Sequence, residues 1–139
     1  EDVRMKTKKP RPLVGEVHFK IALHEDAVAG FLLALSPGAK YQSLNYRWFS
    51  EHYDQFIYVD RVVVSSIYAG SGFGKLLYED LEQAALKEAT VLTCEVNLKP
   101  ANPNSLAFHQ KLGFKEVGQQ DTEGGRKKVC LMCKALNRS

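Results

Sequence analysis

Cysteine is scarce in this chain: three in 139 residues, Cys94, Cys130 and Cys133. Three make no disulfide framework, so free thiols and a reducing, cytoplasmic setting are expected. Cys130 and Cys133 have the spacing of a redox pair, yet they lie in an apolar run near the C-terminus instead of opening a helix. In a strand their side chains point to opposite faces, which makes them packing residues. Long apolar runs are missing too. None approaches the roughly 20 residues of a membrane span, and the first residues lack the apolar segment of a signal peptide. No membrane partner is expected. Nor is there a large excess of one charge. A net charge of +3 suits a small anionic ligand but falls short of the basic footprint of a nucleic-acid binder. The basic residues gather at the two ends, around Arg4–Arg11 and Arg126–Lys128, as solvated tails do. No internal repeat is visible, and no metal is expected.

What is present fits one globular domain over residues 1–139, with 45% apolar residues to build a single core. Residues 1–15 are charged and contain Pro10 and Pro12, a tail or an edge segment. Glu16–Leu23 alternates, with Val17, Phe19, Ile21 and Leu23 on one face and Glu16, His18 and Lys20 on the other. That pattern predicts a half-buried strand with its apolar set inward. Ala27–Leu35 reads as a more central strand, paired with the first in a hairpin. Ala39–Gln55 follows, a long connection rich in aromatics that include Tyr46 and Trp48. It is either a binding loop or a short helix packing its rings on the sheet.

Phe56–Val64 is the next strand, and Leu77, Leu81, Ala84 and Ala85 mark one side of a helix reaching about Ala89. Val91–Val96 is then a strand parallel to its predecessor if that helix is a crossover. Asn102 and Pro103 suit the cap and first turn of a second helix, which Gly113 closes. Phe114–Val117 and Val129–Leu136 are the last strands, around the turn at Gly124-Gly125. The class is α/β with a mixed sheet.

The chain is organised around Val62–Leu77. The β-branched run Val62, Val63, Val64 leads into a turn with glycines at 70, 72 and 74, and a helix begins at about Lys75. Glycines let the backbone turn sharply and let another group approach closely. The unpaired amides and the dipole at a helix start favour an anion such as a pyrophosphate. Two familiar phosphate loops do not fit. A P-loop needs Ser or Thr after Gly-Lys, where this chain has Leu76, and a dinucleotide fingerprint begun at Gly70 needs glycine where Lys75 stands.

The spacing resembles the acetyl-CoA motif of the GNAT N-acetyltransferases, Val-x-Pro-x-x-Arg/Gln-Gly-x-Gly-x-Gly, with Val64, Gly70, Gly72 and Gly74 in place. Ser66 stands where proline is common and Ala69 where Arg or Gln is usual. Residues 102–114, from Asn102 through Phe108 and His109 to Lys111-Leu112-Gly113-Phe114, resemble the family's other signature, in the same order and separation. The resemblance covers roughly residues 16–136. It implies a GNAT acyl-CoA N-acyltransferase-like fold. The strand and two helices that usually open it are shortened or absent here, because about fifteen residues precede the hairpin.

The same resemblance implies acetyl-CoA as cosubstrate and direct attack by a primary amine. The pantetheine arm would run beside Val62, Val63 and Val64, and the pyrophosphate would rest on Gly70, Ser71, Gly72, Phe73, Gly74 and Lys75. Asn102 would hold the pantetheine end, cap its helix, or do both. The family's proton donor to the departing thiolate is a tyrosine; His109 occupies that position, as an acid or as a packing residue. Glu95 is the first candidate for the base and Asp60 the second, and Tyr46 and Trp48 are candidate walls of the acceptor pocket. The acceptor stays open among a small amine, an amino acid, an aminoglycoside and a peptide amine, and a homodimer is among the assemblies the resemblance admits. The alternative is a non-catalytic acyl-CoA-binding module on the same fold. A nucleotide-binding domain is disfavoured by Lys75 and Leu76.

Overall fold

The computed structural model describes residues 3–8, 17–39 and 43–136. Four consecutive strands form a meander: β1 (Val3–Lys8), β2 (Val17–His24), β3 (Ala27–Leu35) and β4 (Phe56–Val64), each antiparallel to its predecessor. The segment expected as a tail or an edge thus supplies the edge strand β1. Residues 9–16, which would link β1 to β2, lie outside the described residues. After β4 the chain crosses through helix α2 (Phe73–Ala85) to β5 (Val91–Lys99), which lies parallel to β4 as the crossover reading requires. Helix α3 (Pro103–Leu112) and the hairpin β6 (Lys115–Thr122) and β7 (Lys127–Ala135) complete a seven-stranded mixed sheet ordered β1-β2-β3-β4-β5-β7-β6.

α2 and α3 cover one face of this sheet. Leu77, Tyr78, Leu81 and Ala85 of α2 meet Leu32, Ile57, Val59, Leu92 and Cys94 in the larger core. The connection between β3 and β4 contains α1 (Leu44–His52), capped by the Ser43 hydroxyl on the Tyr46 amide. It covers the other face, where Tyr46 and Phe49 join Phe56, Tyr58, Val129 and Leu131. Of the two readings of Ala39–Gln55, the short helix with rings on the sheet is the one found. The β7 thiols fall on opposite faces, Cys130 in the α2 core and Cys133 toward Tyr53, and all three cysteines are free.

β2 is inverted relative to its reading. The apolar set Val17, Phe19, Ile21 and Leu23 is half-buried, while His18 and Lys20 are only 7% and 6% exposed. The physical reason is α2. It lies over the polar face of β2 and brings Asp80 to 3.3 Å from Lys20 Nζ, and the turn after it brings Glu88 to 3.1 Å from His18 Nε2. Burying these groups is tolerable because each meets an opposite charge or a hydrogen-bond acceptor. On the other face Phe19 packs edge-on against Phe31 of β3, with ring centres 5.8 Å apart. Among the described residues, no helix is long and apolar enough to cross a membrane.

Candidate active site

The sheet is incomplete at its centre. β4 and β5 pair only through Phe56, Ile57 and Tyr58 against Val91, Leu92 and Thr93. Beyond that point both strands continue, to Val64 and to Lys99, without pairing with each other. β4 stays bonded to β3 and β5 to β7, so the two strands part like a wedge. A bulge between Leu33 and Ala34 on β3, where Arg61 and Val59 are the successive partners, bends β4 at Asp60 and supports the divergence. The Ser65 amide donates to the Ala29 carbonyl at 2.8 Å. Alternation along the strand therefore turns the peptide groups of Val62 and Val64 toward the open edge. These are backbone donors and acceptors that an extended amide-bearing ligand could satisfy.

A cavity of about 570 Å³ occupies the α2 side of this wedge. Val62 and Val64 wall it from β4, and Asn104, Ser105, Phe108 and His109 wall it from α3. Ala69, Gly70, Gly72, Phe73, Gly74 and Lys75 form its end. The Val63 side chain is on the opposite face and half exposed, so only its neighbours line the cavity. Gly70 and Gly72 have φ of +79° and +86°, left-handed values that favour glycine. Gly72 caps α2 and has no side chain to bond the helix start, so the amides of Phe73, Gly74 and Lys75 remain for another acceptor.

Lys75 sits exposed in that first turn, where the helix dipole disfavours a cation. An anion there reverses the balance. A Cβ on Gly74 would lie 3.0 Å from the Phe108 ring, so this glycine makes room for α3, whereas a Cβ on Gly72 meets nothing within 4 Å. Ser71 departs from its expected part. Its amide donates to the Tyr68 carbonyl at 3.1 Å and it does not line the cavity. Asn102 does not line it either: its Oδ1 caps α3 through the Ser105 amide at 3.2 Å. The polar residues α3 does contribute, Asn104 and Ser105, come two and three positions later and are not marked positions of the motif.

His109, for which the sequence admits an acid or a packing residue, reaches the cavity from α3. Nδ1 lies 2.7 Å from the Ser105 carbonyl, which can only accept, so Nδ1 carries the proton. Nε2 is 2.7 Å from the Tyr78 hydroxyl. Burial lowers the imidazole pKa, which favours the neutral ring. In the neutral ring with its proton on Nδ1, Nε2 accepts from the Tyr78 hydroxyl and has no N–H to present to the cavity. Tyr78 is buried in α2, and burial raises its pKa well above the ordinary phenol value.

The carboxylates occupy the other face of the wedge. Glu95 of β5 accepts from the Tyr58 hydroxyl at 2.5 Å. Burial pushes its pKa up to about 7, the nearby Asp60 adds to the rise, and the Tyr58 bond works against it. Asp60 is held by Arg61 Nε at 3.1 Å. Tyr46 does not form the expected pocket wall. It is buried, donates to the Ser36 carbonyl at 2.6 Å and packs on Tyr58. Trp48 stacks on His52, with ring centres 3.7 Å apart, and lies so close to Gly118 that a Cβ there would approach within 2.9 Å. Among the described residues, no group of His, Cys, Asp and Glu side chains could hold a metal ion.

Residues 5–114 match the acetyltransferase (GNAT) family. The chain belongs to that family. No curated protein matches it in sequence. A GNAT-family acetyltransferase from Desulfovibrio desulfuricans superposes with a TM-score of 0.69 at 15% identity, covering 87% of this chain and 70% of that one. One from Elizabethkingia anophelis with acetyl-CoA bound gives 0.68 at 14% identity, over 96% of this chain and 98% of its own. An IAA acetyltransferase from Bacillus cereus gives 0.68 at 15% identity, over 97% and 100%. At these identities the likeness is one of fold, and it is the GNAT fold.

Proposed function

We propose that this GNAT protein is an acetyl-CoA-dependent N-acetyltransferase that moves the acetyl group to a primary amine by direct attack. The observation that carries the reading is the wedge. Open backbone edges at Val62 and Val64 lead to a glycine-capped helix start on one face, with a carboxyl group of raised pKa on the other. Bound acetyl-CoA would supply a thioester. Its amide-bearing arm suits the edge of β4, and its pyrophosphate suits the amides of Phe73–Lys75 with the Lys75 ammonium beside them.

Glu95, with a pKa of about 7, is half ionised at neutral pH and suited to take a proton from an ammonium or from the nitrogen as it attacks. The N–C bond forms, the C–S bond breaks, the amine proton passes to Glu95, and the sulfur leaves with the electron pair. A free thiol ionises near pH 8.5, so the thiolate can leave as an anion and take its proton from water. Asp60 lies close enough to influence Glu95 and acts on it through charge. The free thiols suit a cytoplasmic setting.

Mass spectrometry of the purified protein with acetyl-CoA and a panel of alkylamines, amino acids, aminoglycosides and peptides tests this. Acetylated amine with stoichiometric thiol release is expected. Tight CoA binding with no thiol release across the panel would select the non-catalytic module instead.

A further inference from the structure

Where β4 and β5 part, a side-chain bond bridges the opening. Tyr58 and Thr93 are the last paired residues, and the Tyr58 hydroxyl reaches past them to Glu95, two positions further along β5. The Tyr58 ring is buried and held by α1: Tyr46 meets it edge-on at 5.5 Å, and Phe49 lies at 5.9 Å. Tyr46 is anchored in turn by its own hydroxyl on the Ser36 carbonyl. An aromatic stack thus fixes one phenol, and the phenol fixes one carboxyl group.

We propose that Tyr58 is the positioning residue of the base, holding Oε1 of Glu95 at the apex of the wedge so that the carboxylate is presented to an amine entering from the α1 face. This rests on the reading of Glu95 as the base. Tyr58 has two effects. It restricts the rotamers of a long side chain beside an open gap, and it donates to the charged form. The second effect opposes burial and the field of Asp60, which both favour the protonated carboxyl. The other groups that bear on the pair are Arg61 on Asp60, the Ser43 hydroxyl on Tyr58, and Cys94 and Tyr78 behind the sheet. The β7 residue opposite Glu95 is apolar Leu131. Tyr58 and Asp60 therefore set the proton affinity of Glu95 in opposite directions.

The test follows the Glu95 carboxyl carbon by NMR across pH in the wild type, Tyr58→Phe and Asp60→Asn, alongside kcat/KM for the panel amine that turns over fastest. Tyr58→Phe keeps the ring and its α1 contacts, and should raise the Glu95 midpoint by about one unit. Asp60→Asn should lower it. The acid limb of kcat/KM should move with each midpoint, which lost packing alone would not do.

In the wild type the Tyr58 ring Cζ signal should inflect at the Glu95 midpoint, a readout that needs no variant to fold. A Tyr58 signal without that inflection, or a midpoint unmoved in Tyr58→Phe, overturns the inference. An acid limb that tracks Glu95 in the wild type but stays put in Tyr58→Phe overturns it while leaving the base intact. If the wild-type limb does not coincide with the Glu95 midpoint, or no amine turns over, the reading of Glu95 as base fails and the inference falls with it.

Discussion

The Tyr78 hydroxyl lies 2.7 Å from Nε2 of His109, and both side chains are buried between α2 and α3. Each satisfies the other, so removing one leaves a buried polar group without its partner, at about 1–3 kcal/mol. Tyr78→Phe and His109→Phe should each lose stability in that range in urea unfolding, and the double variant should lose clearly less than their sum. Because the Nδ1 proton is committed to Ser105, His109→Phe should keep kcat within about tenfold of wild type. A general acid would contribute about 10² to 10⁴-fold. A loss on that scale in a folded variant would show that the imidazole donates a proton after all.

Glu95 links activity to stability with a definite sign. Its pKa is 4.5 in an unperturbed setting and about 7 in the fold. The folded state therefore binds this proton more tightly than the unfolded state. The stability it contributes is complete below about pH 4.5 and is lost as pH rises toward 7. At about 1.4 kcal/mol per unit, the strain at alkaline pH approaches about 3 kcal/mol. Glu95→Gln should abolish most turnover yet unfold at a higher temperature than wild type at pH 8, with the advantage vanishing near pH 4.5. Calorimetry at the two pH values checks this. An equal Tm difference at both would mean that Glu95 is not strained by its charge.

At the glycine turn, sterics and charge can be separated. Gly72 sits at φ +86° with open space where a Cβ would be, so the backbone, not crowding, selects glycine. Asn and Asp both tolerate left-handed backbone better than other residues and have nearly the same shape. Gly72→Asn and Gly72→Asp should therefore unfold at similar temperatures. Calorimetric titration with CoA should show the aspartate variant binding at least about tenfold more weakly, about 1.4 kcal/mol. Equal affinities would move the pyrophosphate away from this helix start.

The half of the site made of backbone was legible because its signal is local. Glycine at positive φ, a β-branched strand before it and an Asn-Pro helix start after it are each encoded within a few residues. The misreadings come from partners far apart in sequence. Alternation in β2 is real, but it does not say which face a helix will cover. Asp80 on α2 and Glu88 in the turn after it meet Lys20 and His18 and turn the polar side inward.

Tyr78 carries no mark of its own beside the stripe through Leu77 and Leu81, although Gly74 and Leu81 are four and three positions from it on the same buried side. Tyr58 has no short-range mark at all, since its partner is 37 residues away. Asn102 was legible as a cap, and its side chain is used as one.

The wedge also has a consequence for how the chain assembles. β1 to β4 form a meander of sequence neighbours, and β6 and β7 form a hairpin that β5 joins. In the sheet's backbone pairing the two leaves meet along the short parallel seam between Phe56–Tyr58 and Val91–Thr93. The antiparallel neighbours of the meander close smaller loops, whereas the partners in this seam, such as Phe56 and Val91, are brought together by the α2 crossover. The strands that meet at this seam are the ones that flank the cavity. Whatever lies along their open edges will therefore steady the junction at which the two halves of the chain are joined.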